Sequence, residues 1–239
     1  MARTKKTSPK INNEIQELLS RLEVDLVGVA HVDDVKGTRL AEQATGLLPS
    51  VKSIVTLGME IWPEFLDLTT TERTAGATNP NDLYQRHIEY LRGRLVRAAY
   101  DIAKASHRAG LKALPLPAQG PATDSRFLEG IISYKHAGEA AGLGRFGMNS
   151  LLVTTEYGPR VYLTVCLTEA ELKSTANPEL QTCRFCNVCV GKCPAHALSR
   201  PQDGQPYAIN KFACRTYIDA TGSCCECMSQ CPVANPRYD

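Results

Sequence analysis

Apolar residues along this chain follow helical spacing in some stretches and run in short blocks in others. Ile11, Ile15, Leu18, Leu19 and Leu22 recur at helical spacing, which predicts an amphipathic helix over residues 8–22. Ser8 is placed to cap it and Pro9 suits its first turn. The apolar block Leu26-Val27-Gly28-Val29-Ala30 reads as a buried strand. After a loop bearing glycines and charges, Ile54-Val55-Thr56-Leu57-Gly58-Met59 reads as a second strand. Residues 69–81 are rich in Thr, Asn and Gly without an apolar period, and are predicted to be a loop. The longest helix is expected over residues 82–109, with Gly110 at its C-cap. Its stripe is Leu83, Ile88, Leu91, Leu95, Ala98, Ile102 and Ala105, and Tyr84, His87, Tyr90 and Tyr100 sit among these. A tyrosine on such a stripe is ordinarily a core residue with a satisfied hydroxyl.

Residues 111–116 predict a third strand, and the loop 118–127 carries Asp124. Ser133 caps a short helix that runs to Ala141. Then comes Ala141-Gly-Leu-Gly144-Arg145-Phe146-Gly147-Met148-Asn149-Ser150, followed by the strand Leu151-Leu152-Val153-Thr154. A Gly158-Pro159 turn leads to a strand over residues 161–167, so these last two strands are expected to pair as a hairpin. The order of elements fits an α/β or α+β domain. Gly142, Gly144 and Gly147 match G-x-G-x-x-G, but they follow a helix and precede a strand, the reverse of the dinucleotide fingerprint. Such glycines mark close approach of the backbone to a ligand or to another backbone.

Ten cysteines change the picture. Cys183-Arg-Phe-Cys186-Asn-Val-Cys189-Val-Gly-Lys-Cys193-Pro194 has the bacterial ferredoxin spacing, in which three thiolates hold one iron–sulfur cube and the fourth serves its neighbour. The second run, Cys224-Cys225-Glu226-Cys227-Met-Ser-Gln-Cys231-Pro232, has Cys214 ahead of it. The two runs complete each other. Cys183, Cys186, Cys189 and Cys231 would hold one [4Fe–4S] cluster, and Cys193, Cys214, Cys224 and Cys227 a second. Spacing alone does not exclude Cys225 in place of Cys224. The competing readings are zinc and disulfides. Zinc favours paired hooks and has no use for a third cysteine at the same step. Disulfides suit an oxidising compartment, whereas no secretory or twin-arginine signal is seen here. The expected chemistry is one-electron transfer.

The cysteine region fills the last quarter of the 239 residues, which leaves about 180 for a globular domain with a substantial core. The expected layout is a flexible tail over 1–10, a core over 11–180 and a cluster module over 181–239. With 27 basic and 25 acidic residues, charge argues neither for nor against nucleic acid. No apolar run approaches the ~20 residues of a membrane span. Oxygen-sensitive clusters without an export signal suggest a cytoplasmic, anaerobic setting.

The segments Ala141-Gly-Leu-Gly144, Asn149-Ser-Leu-Leu-Val153 and Glu156-Tyr-Gly-Pro-Arg160, joined to the two cysteine runs, resemble the superfamily of epoxyqueuosine reductases and corrinoid-dependent reductive dehalogenases. Asp25-Leu-Val-Gly-Val-Ala30 and Leu48-Pro-Ser-Val-Lys-Ser-Ile-Val55 look like that family's opening strands. The resemblance implies a nitroreductase-like core that cradles a cobalamin, with a C-terminal bacterial-ferredoxin-like module of two [4Fe–4S] clusters. It implies that a corrinoid, fed by the clusters, reduces a small organic substrate, with a tyrosine or aspartate as proton source. Tyr90 and Asp124 are the matching positions. Gly144, Phe146, Gly147, Met148, Asn149 and Ser150 are the implied corrinoid contacts, and a ferredoxin or flavodoxin is the implied low-potential donor.

Three departures accompany the likeness. Met148 stands where the reductases carry Lys or Arg. The chain stops seven residues after Pro232, short of the extension that holds transfer RNA in epoxyqueuosine reductases. The export signal of respiratory dehalogenases is absent. Nucleic acid and membrane are therefore not expected partners. The alternative is a corrinoid-free electron-transfer protein that reduces a partner or its corrinoid. Cluster potentials span about −700 to +450 mV, so either role is within reach. A buried tyrosine would need a cation nearby to lower its pKa; His87, Arg94 and Lys135 are the candidates. His136, beside the glycine segment, is expected to be a hydrogen-bonded structural histidine.

Overall fold

The computed structural model describes residues 9–69, 81–118, 123–124, 126–202, 204–205 and 207–235. The expected Ser8 cap and most of the loop expected over 69–81 lie outside these residues. Helix α1 (Pro9–Leu19) buries Ile15 and Leu19, as its period requires, and ends in a turn that half-covers Leu22. The cores are organised by a four-stranded sheet made of β1 (Leu26–His31), β2 (Ser53–Glu60), β3 (Ala113–Pro115) and β8 (Val161–Thr168). The order is β1-β2-β8-β3 and every neighbouring pair is antiparallel. Ile54 is opposite Leu167, and Val55 is opposite Cys166.

Side chains alternate across the sheet, so a strand buried on both faces feeds two cores. Val55, Leu57 and Met59 point to one side, where they meet α1 and the long helix α4 (Asn81–Arg108). Ile54, Leu163, Val165 and Leu167 point to the other, against α2 (Arg39–Leu47) and α5 (Tyr134–Ala140). The result is a mixed α/β architecture of three layers. Helix α4 buries Ile88, Leu91, Leu95, Ala98 and Ile102, as the stripe predicts. Leu83, by contrast, is 53% exposed. The helix ends in a Schellman pair: Gly110, at φ +75°, donates to His107 O and Leu111 donates to Ser106 O.

Two expectations are corrected. The stretch read as a loop after β1 contains α2, capped by Thr38 Oγ1, which accepts from Ala41 N. Its buried face is Leu40, Ala41 and Ala44, two of them too small to raise a clear apolar period. The hairpin expected between residues 151–154 and 161–167 does not form. Strand β7 (Leu152–Thr154) pairs with β6 (Gly144–Phe146), while β8 departs to the centre of the large sheet. Gly158 closes back on Thr154 through two backbone hydrogen bonds. A β-carbon at Gly158 would stand 2.2 Å from Val233 O, and its φ is +56°. This turn is where the last stretch of the chain presses on the core.

Short elements complete the chain: α3 (Pro63–Asp67), a two-residue ladder of β4 (Thr123–Asp124) with β5 (Glu129–Gly130), and α6 (Val188–Gly191). A second ladder joins β9 (Leu198–Ser199) to β10 (Ala208–Ile209), and α7 (Lys211–Thr221) and α8 (Glu226–Ser229) follow. Among the described residues, no helix is long and apolar enough to cross a membrane.

Gly158→Ala should destabilise the protein by about 2–4 kcal/mol through left-handed strain and the displaced carbonyl. Gly93→Ala, in the open on α4, should stabilise it by about 0.5–1 kcal/mol. Thermal unfolding of the two variants checks both signs. Buried His87 accepts a hydrogen bond from Trp62 N at 3.3 Å and stacks on Phe65, and burial holds its pKa below the ordinary value. The folded state refuses a proton that the unfolded chain takes up near pH ~6.5, so stability is lost as pH falls through that value. His87→Gln should flatten part of that slope in unfolding midpoints measured across it.

Candidate metal centre

The first cysteine run coils tightly because Phe185 and Asn187 take left-handed φ values of +50° and +62°. Asn187 opens α6, which carries the buried Cys189. The second run reaches it through α8, which packs on α6 and holds Cys227. Asn235 Nδ2 donates to Ser229 O and Cys231 O, fixing the turn after α8.

Cys183, Cys186, Cys189 and Cys231 line one small cavity, together with Met148 and Asn149. These are the four cysteines expected to share a cluster. The other expected set also gathers. The Cys214 thiol is raised by burial and by neighbouring Cys193, and Cys227 is raised by burial and then by Cys224 and Cys214. Burial pushes Cys189 up to about 11, with Cys231, Cys183 and Cys186 adding repulsion. Burial likewise takes Cys224 to about 11. Thiols crowded out of water resist ionisation, and bound iron supplies the positive charge that ionises them. Both sets therefore fit the chemistry of a thiolate-held cluster. Among the described residues, no three or more His, Cys, Asp or Glu side chains form a group that could hold a single metal ion. Cys186 is exposed, whereas no member of the second set is.

Cys225 turns away from both sets. It is buried in the main core and hydrogen-bonds with Tyr84 and Thr69, so Cys224 is left as the member of that pair facing the second set. Cys166, in the middle of β8, is fully buried and its thiol is raised to about 12 by burial.

The glycine segment forms the β6–β7 hairpin, and its tip is driven into the cysteine region. A β-carbon on Gly144 would meet Val153 O at 2.2 Å, so this glycine serves backbone-to-backbone approach. Met148 packs with Cys189 and Cys193, and Asn149 Nδ2 donates to Cys227 O at 3.2 Å. Ser150, at φ +61°, presents its carbonyl to Lys135 Nζ at 2.6 Å. Phe146, Met148, Asn149 and Ser150 are all between 3% and 5% exposed. Gly144 and Gly147 are covered too. These six residues are covered by protein. Arg145 donates to Leu180 O and Pro178 O, tying down the linker before Cys183.

Lys135 stands beside the second set. Burial lowers its pKa, while Cys227 and Cys214 raise it. His136 Nδ1 pairs with Ser133 Oγ at 2.8 Å and its ring lies against Phe146, which is the structural role expected of it. Of the two expected acids, the side chain of Asp124 lies outside what the structure describes. Tyr90 is 56% exposed on the outer side of α4, where Arg94 Nη1 donates to its hydroxyl. The tyrosine that reaches the cysteine region is Tyr84, whose hydroxyl pKa is raised by burial and by Cys225. It lies on the same stripe, but nothing in the spacing separates it from Tyr90. The backbone of Asp124 pairs with Glu129, whose carboxylate binds Lys211 of α7 and Arg39.

No protein-family model matches the chain. An epoxyqueuosine reductase of Synechocystis sp. is 28% identical over 178 residues, 72% of this chain and 52% of that protein. A tetrachloroethene reductive dehalogenase of Desulfitobacterium hafniense is 30% identical over 111 residues, 38% of this chain and 20% of that protein. The chain thus spans about half of the first relative and a fifth of the second. Among solved structures, an epoxyqueuosine reductase with an epoxyqueuosine-modified tRNA-Tyr stem loop aligns with a TM-score of 0.58 at 19% identity, covering 94% of this chain and 65% of that one. A reductive dehalogenase whose structure suggests a mechanism for B12-dependent dehalogenation aligns with a TM-score of 0.69 at 18% identity, covering 97% and 33%. The RNA in the first of these is at odds with the expectation that nucleic acid is no partner.

Cys214→Ala should lower bound iron to about half of the reconstituted wild-type level with the fold kept, whereas Cys225→Ala should leave iron unchanged. Iron and sulfide analysis with circular dichroism checks both; full iron in Cys214→Ala would remove it from the ligand set. In sequence and in fold, the chain is similar to epoxyqueuosine reductases and reductive dehalogenases.

Proposed function

We propose that the chain is an iron–sulfur reductase that carries two [4Fe–4S] clusters and delivers low-potential electrons to a corrinoid for reduction of an organic substrate. The observation that carries this reading is the gathering of eight cysteines into two sets of four, one around a single cavity. Cys183, Cys186, Cys189 and Cys231 would hold the first cluster; Cys193, Cys214, Cys224 and Cys227 would hold the second. Each cluster supplies one-electron transfer. The exposed Cys186 favours the first as the point of entry from a ferredoxin- or flavodoxin-like donor. The second, with Lys135 beside it, lies further inside.

The covered hairpin favours a second reading in which this chain carries no corrinoid and passes electrons to a partner or to the partner's corrinoid. In the first reading Asp124 is the proton source, since Tyr90 faces outward. A small organic molecule is the substrate class we favour. An RNA substrate stands beside it because a solved structural neighbour is in complex with a tRNA stem loop.

Anaerobic reconstitution with iron and sulfide, followed by cobalamin titration and EPR, decides between the readings. A base-off cobalt(II) signal that survives desalting supports the corrinoid reductase. Clusters without retained cobalamin support the electron-transfer protein, and a chain that binds no clusters overturns both.

A further inference from the structure

The motif Glu156-Tyr-Gly-Pro-Arg160 has no part in the chemistry described so far. It forms the turn between β7 and β8, and it carries Arg160 inward to 4% exposure. Arg160 Nη2 donates to Glu60 Oε1 at 2.9 Å, and Nη1 donates to Ala234 O at 2.6 Å. Its Nε is buried and has no hydrogen-bond partner among the described residues. A guanidinium withdrawn from water and incompletely paired is costly to bury.

What the guanidinium faces is the stretch that follows α8. Ala234, its acceptor, is three residues from Cys231, and Cys231, Pro232 and Val233 all line the first cavity. Gly158 meets Val233 O from the same turn, and Asn235 holds Cys231 O from the other side. A cluster gains one negative charge when it takes an electron from a reductant, so a buried cation nearby favours its reduced form.

We propose that Arg160 is a positioning residue that docks the Cys231 stretch onto the core and, through its charge, raises the reduction potential of the first cluster. The inference rests on the iron–sulfur reading of the previous section.

The test is an anaerobic EPR-monitored redox titration of the reconstituted full chain and three variants. Arg160→Gln should make one cluster at least tenfold harder to reduce at fixed potential, a downward shift of 59 mV for one electron, with the other cluster unmoved. Arg160→Lys, which keeps the charge, should recover at least half of that shift. Glu60→Gln removes the counter-charge and leaves Arg160 in place, so it should shift the same midpoint upward. That variant decides the matter if Arg160→Gln does not fold. Unmoved midpoints in the variants that hold both clusters, even with a lower unfolding temperature, would overturn the proposal. A wild-type chain that assembles no clusters would instead overturn the iron–sulfur reading itself.

Discussion

Crowding eight thiols together, all but Cys186 at least half withdrawn from water, is unfavourable unless something positive is placed among them, and much of this molecule is arranged around that constraint. The thiols of Cys189 and Cys224 are pushed up to about 11 by burial and by their neighbours. Left as thiols, they would form a poorly packed polar pocket; as thiolates around iron, they become the cross-links of a region with little apolar core of its own. That core is small, built from Met148, Ala197, Leu198 and the cysteines themselves. With the proposed clusters in place, the last 50 or so residues would draw much of their folding free energy from the metal, as small metal-held units do.

The region is nevertheless no free appendage. The β6–β7 hairpin enters it with Met148 and Asn149, the Gly158 turn presses on Val233, and Arg160 binds Ala234. Cys225 reaches the opposite way, into the main core between Tyr84 and Thr69. Met148 and Asn149 come from a stretch that the family resemblance assigns to a corrinoid. In the fold they pack against the cysteines.

Much of this was legible beforehand where the signal is local. The helical period of α4, its Gly110 stop, the Ser133 cap on α5 and the buried blocks of β1 and β2 are short-range patterns that a sequence displays directly. The spacing of the cysteines is a local signal of the same kind, because a cluster imposes its own spacing on the chain. Helix α2 was missed because two of its buried residues are alanines. The partner of β7 was missed because two strands that flank a Gly-Pro turn look like a hairpin whether or not they pair.

By itself, then, the amino-acid order determined the elements with strong period, the eight candidate ligands and the one-electron chemistry they suggest. Only the tertiary structure decided which neighbours those elements have. It set β2 against β8 across more than a hundred residues, turned Cys225 inward and Tyr90 outward, and gave Arg160 a carbonyl beside Cys231. The physical reason is one of range. Period, capping and ligand spacing act within a few residues, whereas pairing, burial and charge environment depend on residues that meet only after the chain has folded.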